Sequence, residues 1–281
     1  MHDEISPYVL IYLKSFFLGI IQGLTEFLPI SSTAHLKVVP FFLGWNDPGA
    51  SFSASVQLGS AFAIIYYFRN QISSIIDSFF LIFNRDKVLK DDNTRLATYI
   101  FVASIPICIF GFLIKLYWPN YSESNFRGLF SIAIVSILMG LFLALAEIYG
   151  KRKKLFNDIN LKDIIFLGLA QSLALFPGVS RSGITLTSAL FSGIERNTAA
   201  RLSFLVGIPA ISISGLVELL TLFGSFSAAD LLPTFIGIIS SFFSSLFAID
   251  LFLKFLAKNS TFVFVYYRLA FGFFILSALY I

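Results

Sequence analysis

The sequence predicts an all-α integral membrane protein with an inverted-topology repeat: about six full transmembrane helices plus two re-entrant helical hairpins from opposite faces. Three observations support this fold class: the composition, the loop charges, and one polar interruption in each half of the chain. Of the 281 residues, 57% are hydrophobic and 13% are charged, and the mean hydropathy of +0.85 lies outside the range of soluble domains. The net charge of +4 resides in the connections, so no nucleic-acid partner is expected.

Apolar windows divide the chain into two similar halves. A helix needs about 20 apolar residues to cross the bilayer core, and two apolar windows, 8–44 and 161–194, are broken by proline and serine. We therefore expect a first repeat over 1–155 and a second over 156–281, within one integrated membrane domain. The unbroken windows lie near 50–68, 96–118, 128–149, 199–223, 232–257 and 261–281.

The loop charges predict the orientation of these windows. Residues 151–162 and 69–95 are rich in lysine and arginine and are expected in the cytoplasm, whereas 119–127 carries one cation and is expected outside. Each half then holds one broken window followed by three spans, so the halves are inverted and each broken window enters and leaves on one face. The hairpin over 8–44 should open to the outer face. The basic residues of the longer loop are Arg69, Arg85, Lys87, Lys90 and Arg95.

The two interruptions resemble each other. One reads Gln22-Gly-Leu-Thr-Glu-Phe-Leu-Pro-Ile-Ser-Ser-Thr-Ala-His35, and the other reads Gln171-Ser-Leu-Ala-Leu-Phe-Pro-Gly-Val-Ser-Arg-Ser-Gly-Ile-Thr185. A shift of 149 residues superposes Gln22 on Gln171 and Ser31 on Ser180, with a proline break in each. Paired interruptions of this kind point to a binding site between the two repeats, near the bilayer midplane.

The first interruption carries ionisable chemistry where it is costly. Gln22 and Glu26 share one helical face, Pro29 ends that helix, and Ser31 or Ser32 can cap a helix that restarts toward His35. An intramembrane ionisable residue is a functional-site candidate by default. The free N–H groups of the restarting helix favour an anion such as phosphate.

The second interruption adds a cation. Ser180 can cap the helix that follows Pro177-Gly178, and Arg181 lies in its first turn, where the helix dipole disfavours a positive charge. An anion should offset this, and the guanidinium fork fits phosphate oxygens. Ser182 and Thr185 add hydroxyl groups. A structural ion pair between Arg181 and Glu26 is the alternative, and the two roles are compatible.

Four further charged residues are given structural roles. Glu147, Lys115 and Lys254 lie near span ends, so their charged groups are expected to reach the membrane surface. Arg268 lies deep in the last window, where a structural pairing is expected.

With Gln22-x-x-x-Glu26, the following Phe-Leu-Pro-Ile-Ser-Ser-Thr-Ala-His35 and Pro177-Gly-Val-Ser-Arg-Ser-Gly-Ile-Thr185, the chain resembles the undecaprenyl-diphosphate phosphatase family, also called bacitracin-resistance proteins. The resemblance extends over essentially the whole chain and includes Tyr267-Arg268. It implies a multi-pass enzyme of the bacterial inner membrane that hydrolyses undecaprenyl diphosphate to the monophosphate carrier for wall synthesis. It also implies a dependence on a divalent cation, Mg²⁺ or Ca²⁺.

The resemblance also assigns residues. Glu26, Ser32, His35 and Arg181 match essential, catalytic positions, and the expected substrate-binding residues are Gln22, Ser31, Thr33, Ser180, Ser182 and Thr185. Gln22 stands where the family also has glutamate, so Glu26 is the candidate metal ligand. Ala34 replaces a common glycine. A homodimer is left open.

Two mechanisms and a second function class remain open at this point. Ser32 is the expected nucleophile with His35 as general base or acid, and Glu26 either orients His35 or binds the cation. Direct attack by His35 or by an activated water is the alternative. A transporter or flippase of a phosphorylated lipid or anion is the other function, because inverted repeats with opposed hairpins are transporter architecture.

Overall fold

The computed structural model describes residues 7–47, 49–79, 81–83, 86, 91–118, 120–121, 124–223 and 228–280. These residues form eleven α-helices and no β-strand beyond an isolated bridge between Lys154 and Ile194. Arg85, Lys87 and Lys90, on which part of the predicted orientation rests, lie outside the described residues. The helices are α1 Pro7–Glu26, α2 Ser32–Phe42, α3 Gly49–Tyr67, α4 Arg69–Phe79, α5 Asp92–Tyr117, α6 Leu129–Tyr149, α7 Leu161–Ser172, α8 Arg181–Phe191, α9 Arg196–Phe223, α10 Ala228–Leu256 and α11 Phe262–Leu279.

Six of the described helices are long and apolar enough to cross a membrane, which confirms a multi-pass membrane protein. Five of them coincide with predicted spans. The sixth is α1, which the sequence predicts as the first arm of a hairpin, whereas α3, over the predicted span 50–68, is not among the six. The six spans are Val9–Glu26, Asp92–Tyr117, Leu129–Tyr149, Arg196–Val217, Leu231–Leu256 and Phe262–Leu279.

The two polar interruptions are breaks between helices, and their backbones match at the residue before each restart, although a 3₁₀ turn over Leu173–Leu175 follows α7 and has no counterpart after α1. The first break separates α1 from α2 and the second separates α7 from α8. The residue before each restart is a serine with a positive φ: 74° for Ser31 and 69° for Ser180. The helices that follow both contain 11 residues, and their first residues, Ser32 and Arg181, are related by the same 149-residue shift.

Helix α1 lies unusually close to α10. A β-carbon at Gly19 would overlap the Ser240 hydroxyl, and one at Gly23 would overlap the Ser244 hydroxyl. Small residues let helix backbones approach closely in membranes, where van der Waals packing drives association. This seam fixes the helix that ends at Glu26 against the second half of the chain.

Glu147, near the end of α6, is also bound to the second half. Its carboxylate is 2% exposed and accepts hydrogen bonds from Arg152, from Arg196 at the start of α9, and from the Thr261 hydroxyl. The expectation that Glu147 reaches the membrane surface is therefore wrong. Two arginines satisfy the buried charge: Arg152 lies five residues after Glu147, whereas Arg196 lies 49 residues away and gave no signal beside Glu147 in the sequence.

Candidate active site

Glu26, the last residue of α1, joins both breaks. Its Oε2 accepts hydrogen bonds from Ser32 Oγ at 2.6 Å and from Gln22 Nε2 at 2.8 Å. Its Oε1 accepts one from Arg181 Nη2 at 3.2 Å. Gln22 reaches the carboxylate because i and i+4 residues share a helix face, whereas Ser32 approaches from across the first break. The short Ser32 contact is in the range of a hydroxyl that donates to a carboxylate.

Arg181 brings a cation from the second break to this carboxylate. Its side chain is 9% exposed, and its Nη1 is buried and has no hydrogen-bond partner within the described residues. The guanidinium lies against Gly207 of α9, where a β-carbon would overlap it. A buried guanidinium with a spare donor is suited to an oxyanion such as phosphate.

Ser182 ties the second break directly to the first. Its Oγ lies 3.1 Å from the carbonyl oxygen of Glu26 and 3.0 Å from that of Leu28, and it can donate to either. Backbone carbonyls after a helix end lack intrahelical partners. The hydroxyl thus satisfies acceptors that the first break leaves free, and it brings α8 to the end of α1.

Both restarting helices are capped in the same way. Ser31 Oγ accepts from the Ala34 N–H at 3.4 Å, and Ser180 Oγ accepts from the Gly183 N–H at 3.1 Å. The positive ends of α2 and α8 therefore both lie at the breaks, close to Glu26 and Arg181. Helix N-termini favour negative charge, so this arrangement suits a ligand with two phosphate groups.

His35 is held separately from Glu26. Its Nδ1 lies 2.7 Å from the Ser31 carbonyl oxygen, and its Nε2 lies 2.7 Å from the Tyr267 hydroxyl. A carbonyl only accepts, so Nδ1 carries a proton. In the neutral form of the ring, Nε2 then accepts the hydrogen bond from the Tyr267 hydroxyl. The ring also stacks on Phe271, with centroids 4.4 Å apart. The orientation of His35 is thus set by Ser31 and α11, and neither of its hydrogen bonds is to Glu26.

The remaining predicted residues lie behind or beside this centre. Gln22 and Thr185 are fully buried, and Thr185 Oγ1 lies 2.7 Å from the Arg181 carbonyl and 2.5 Å from Ser203 Oγ. Thr33 is half-buried, with Oγ1 3.1 Å from Ser31 Oγ. These contacts hold the backbone and the carboxylate in place, and direct contact with a substrate stays a prediction.

Two residues of the site carry no signal of their own in the sequence. Tyr267 enters only through the family resemblance, because nothing in its spacing connects it to His35, 232 residues earlier. In the sequence, Gly207 looks like any other glycine in a helix. Its importance appears only in the structure, where α9 packs against Arg181 of α8. Side-chain contacts between such distant segments depend on packing, which no local pattern encodes.

Known proteins resemble this chain over nearly its whole length. Residues 15–274 match the family described as bacitracin resistance protein BacA. An undecaprenyl-diphosphatase of Prochlorococcus marinus strain NATL1A is 78% identical over 279 residues, which cover 99% of this chain and 100% of that protein. Another, of Prochlorococcus marinus strain MIT 9313, is 50% identical over 94% of this chain and 88% of that protein. One from Synechococcus sp. strain CC9311 is 50% identical over 92% of this chain and 91% of that protein. With a match this long and relatives this similar, the chain belongs to the bacitracin resistance protein BacA family.

Proposed function

We propose that this protein hydrolyses undecaprenyl diphosphate to undecaprenyl phosphate and inorganic phosphate, recycling the lipid carrier and conferring bacitracin resistance. The observation that carries the proposal is the single cluster in which Glu26 binds Ser32 from one break and Arg181 from the other. A nucleophile, a proton acceptor and a phosphate-binding cation are thereby within one hydrogen-bonded group. The names of the relatives support the same reaction.

The geometry favours Ser32 as the nucleophile and Glu26 as the group that receives its proton. Ser32 Oγ already donates to Glu26 Oε2, so attack on the terminal phosphorus would form the Oγ–P bond as the proton moves to the carboxylate. The bridging P–O bond breaks and undecaprenyl phosphate leaves. Water then attacks the phosphoserine, the Oγ–P bond breaks as Glu26 returns its proton to Oγ, and inorganic phosphate leaves.

Arg181 and the two helix N-termini would stabilise the charge that develops on the phosphoryl oxygens, which is the main catalytic term in phosphoryl transfer. His35 serves as proton donor or acceptor through Nε2, because its Nδ1 is committed to the Ser31 carbonyl. Substrate must then replace or approach the Tyr267 hydroxyl that occupies Nε2.

Mg²⁺ or Ca²⁺ is the proposed cofactor, and the site offers few protein ligands for it. Within the described residues there is no cluster of three His, Cys, Asp or Glu side chains. The available oxygens are the carboxylate of Glu26 and the buried Oε1 of Gln22, which has no hydrogen-bond partner among the residues that the structure describes. Mg²⁺ is commonly held by one or two carboxylates together with substrate phosphates, so these residues fit a cation that arrives with the substrate. When bound, it would neutralise phosphate charge.

Phosphate release from undecaprenyl diphosphate in detergent micelles tests the reaction, because micelles have no compartments between which a carrier can move substrate. We expect release that stops with a chelator and returns with Mg²⁺ or Ca²⁺. Release that persists after chelation would remove the cation from the proposal. An absence of release above background would favour a transporter or flippase instead.

Trapping of a phosphoenzyme tests the nucleophile. The parent protein, quenched in acid during turnover, is expected to carry covalent phosphate that Ser32→Ala lacks. A Ser32→Ala protein that still accumulates covalent phosphate would eliminate Ser32 and favour His35. An active parent that carries no covalent phosphate would favour water.

We also propose that the two halves are inverted repeats in an inner membrane and that the breaks are re-entrant hairpins, with the catalytic site open to the outer face. The matching caps at Ser31 and Ser180 and the equal lengths of α2 and α8 support the repeat. At 12 residues, or about 18 Å at the helical rise, α7 is too short to cross a bilayer alone. Cysteines placed at 151–154 in a Cys108→Ser background should resist labelling from outside intact cells. Labelling there would reverse the orientation.

A further inference from the structure

Arg268, in the middle of α11, makes hydrogen bonds to backbone carbonyls of both breaks. Nη1 donates to the Pro29 carbonyl at 3.0 Å and to the Val179 carbonyl at 3.2 Å, and Nη2 donates to the Gly178 carbonyl at 2.6 Å. Nε donates to the Ser136 carbonyl of α6 at 3.2 Å. The side chain is 1% exposed, so this guanidinium lies inside the protein between the two breaks.

Arg268 binds equivalent carbonyl oxygens in the two breaks. Pro29 and Gly178 are related by the 149-residue shift that superposes Ser31 on Ser180. One guanidinium therefore binds equivalent carbonyls of the two copies, at the point where the copies meet. This arrangement requires a planar group with several diverging donors, which lysine does not provide.

The partners of the Arg268 guanidinium differ from those of Arg181 and Arg196. Arg181 is paired with Glu26 and Arg196 with Glu147, whereas all hydrogen bonds of the Arg268 guanidinium to described residues go to main-chain oxygens. The expected structural pairing of Arg268 is thus to backbone and not to a carboxylate. Buried carbonyls beyond helix ends otherwise lack donors and are costly to leave unpaired.

We propose that Arg268 is the positioning residue of the active site: by binding both breaks it sets the separation at which Glu26 and Ser32 of the first meet Arg181 of the second. Arg268 acts through these groups and need not touch the substrate. The kinetic consequence rests on the proposed phosphatase function, but the structural consequence does not. Displacement of reacting groups by about 1 Å can cost about 10²-fold in rate.

The kinetic experiment compares Arg268→Lys with Arg196→Lys, using undecaprenyl diphosphate in detergent. In both variants lysine keeps the positive charge but loses the forked guanidinium. Arg196 is the control because it also joins the two halves of the chain, through Glu147, but lies outside the site. We expect kcat of Arg268→Lys to fall by about 10²-fold while KM changes less than about threefold. Arg196→Lys should keep kcat within about threefold of the parent, even if its melting temperature falls by as much as that of Arg268→Lys.

Three kinetic outcomes would overturn the proposal. A parental kcat in Arg268→Lys would show that the fork is not needed. A raised KM with an unchanged kcat would assign Arg268 to substrate binding. An equal loss of kcat in Arg196→Lys would reduce the effect to general destabilisation.

A distance measurement reads the geometry without catalysis. In the Cys108→Ser background, spin labels at Phe41 and Phe191, both exposed, report the separation of the helices that follow the two breaks. Arg268→Lys should shift or broaden the distance distribution, whereas Arg196→Lys should leave it as in the parent. An unchanged distribution in a folded Arg268→Lys protein would refute the tie between the breaks. If the parent released no phosphate, the proposed function would fail, and the distance test would still be decided.

Discussion

The two breaks share the conformation of their capping serines and differ in chemistry. Ser31 and Ser180 have nearly the same φ and cap helices of equal length, and Gln22 and Gln171 are both fully buried. The residues that follow the caps diverge, because Ser32 in the first break corresponds to Arg181 in the second. The first copy also has Glu26 and His35 where the second has Leu175 and Ile184.

This difference assigns separate duties to the copies. The first break holds the hydroxyl, the carboxylate and the imidazole, which are groups that exchange protons. The second break holds a permanent cation and hydroxyl donors, which are groups that bind an anion. Two similar breaks thus contribute unlike groups to one site, and phosphoryl transfer needs both kinds of group around one phosphorus.

The sharpest way to break this division is to give the second copy the residue of the first. Arg181→Ser should lower kcat/KM by about 10³- to 10⁵-fold, the range associated with losing an arginine that stabilises the transition state. Initial rates of phosphate release across substrate concentrations provide the measurement. Arg201→Ser, a change at an exposed arginine of α9, is the control and should keep parental kinetics. A modest loss at Arg181 would mean that the helix N-termini alone bind the phosphates.

Glu26→Gln removes the proton acceptor of the first copy while keeping its shape. We expect kcat to fall by about 10²- to 10⁴-fold, as for loss of a general base, because an amide accepts no proton from Ser32. Steady-state kinetics would measure this loss. Gln22→Glu, which restores the second acid of the family motif, should retain activity. A Glu26→Gln enzyme with parental kcat would return the role of base to His35.

Tyr267→Phe tests the hydrogen bond between the Tyr267 hydroxyl and His35 Nε2. Phenylalanine keeps the stacked ring but removes the donor to Nε2, so kcat should change by about 5- to 10-fold, the value of one ordinary hydrogen bond. Kinetics at several pH values would show whether the pH dependence of kcat also shifts in this variant. Tyr266→Phe changes the preceding residue, which is 67% exposed, and should have no effect. Equal effects of both variants would assign Tyr267 to packing alone.

The smallest expected effect concerns what the copies share. Ser31→Ala and Ser180→Ala each remove a helix cap, at a cost of about 1 kcal/mol, so the two variants should lower the melting temperature by similar amounts. Glycine at either position should cost less, because it tolerates a positive φ. Thermal unfolding in detergent gives the comparison, with the exposed Ser277→Ala as control. Markedly unequal losses would argue that the two caps are not equivalent.

Much of the site follows from local sequence. The i,i+4 spacing brings Gln22 to Glu26, serine before each restart provides a cap, and the odd number of spans in each half predicts that Glu26 and Arg181 meet. The partners of His35 and Arg268 do not follow. Tyr267 lies 232 residues from His35, and the acceptors of Arg268 are main-chain atoms, which every residue possesses and no pattern marks. The sequence also predicts α1 as one arm of a hairpin and not as a span, although this helix, Pro7–Glu26, is long and apolar enough to cross a membrane.

The position of Tyr267 and Arg268 in α11 has a consequence for biosynthesis. Chains are made from the N-terminus, and both breaks leave the ribosome before the helix that contacts them. Until α11 has inserted, His35 lacks its tyrosine and the equivalent carbonyls of the breaks lack their shared donor. A nascent chain therefore holds the reactive side chains without this support, and competence for turnover requires the integration of α11.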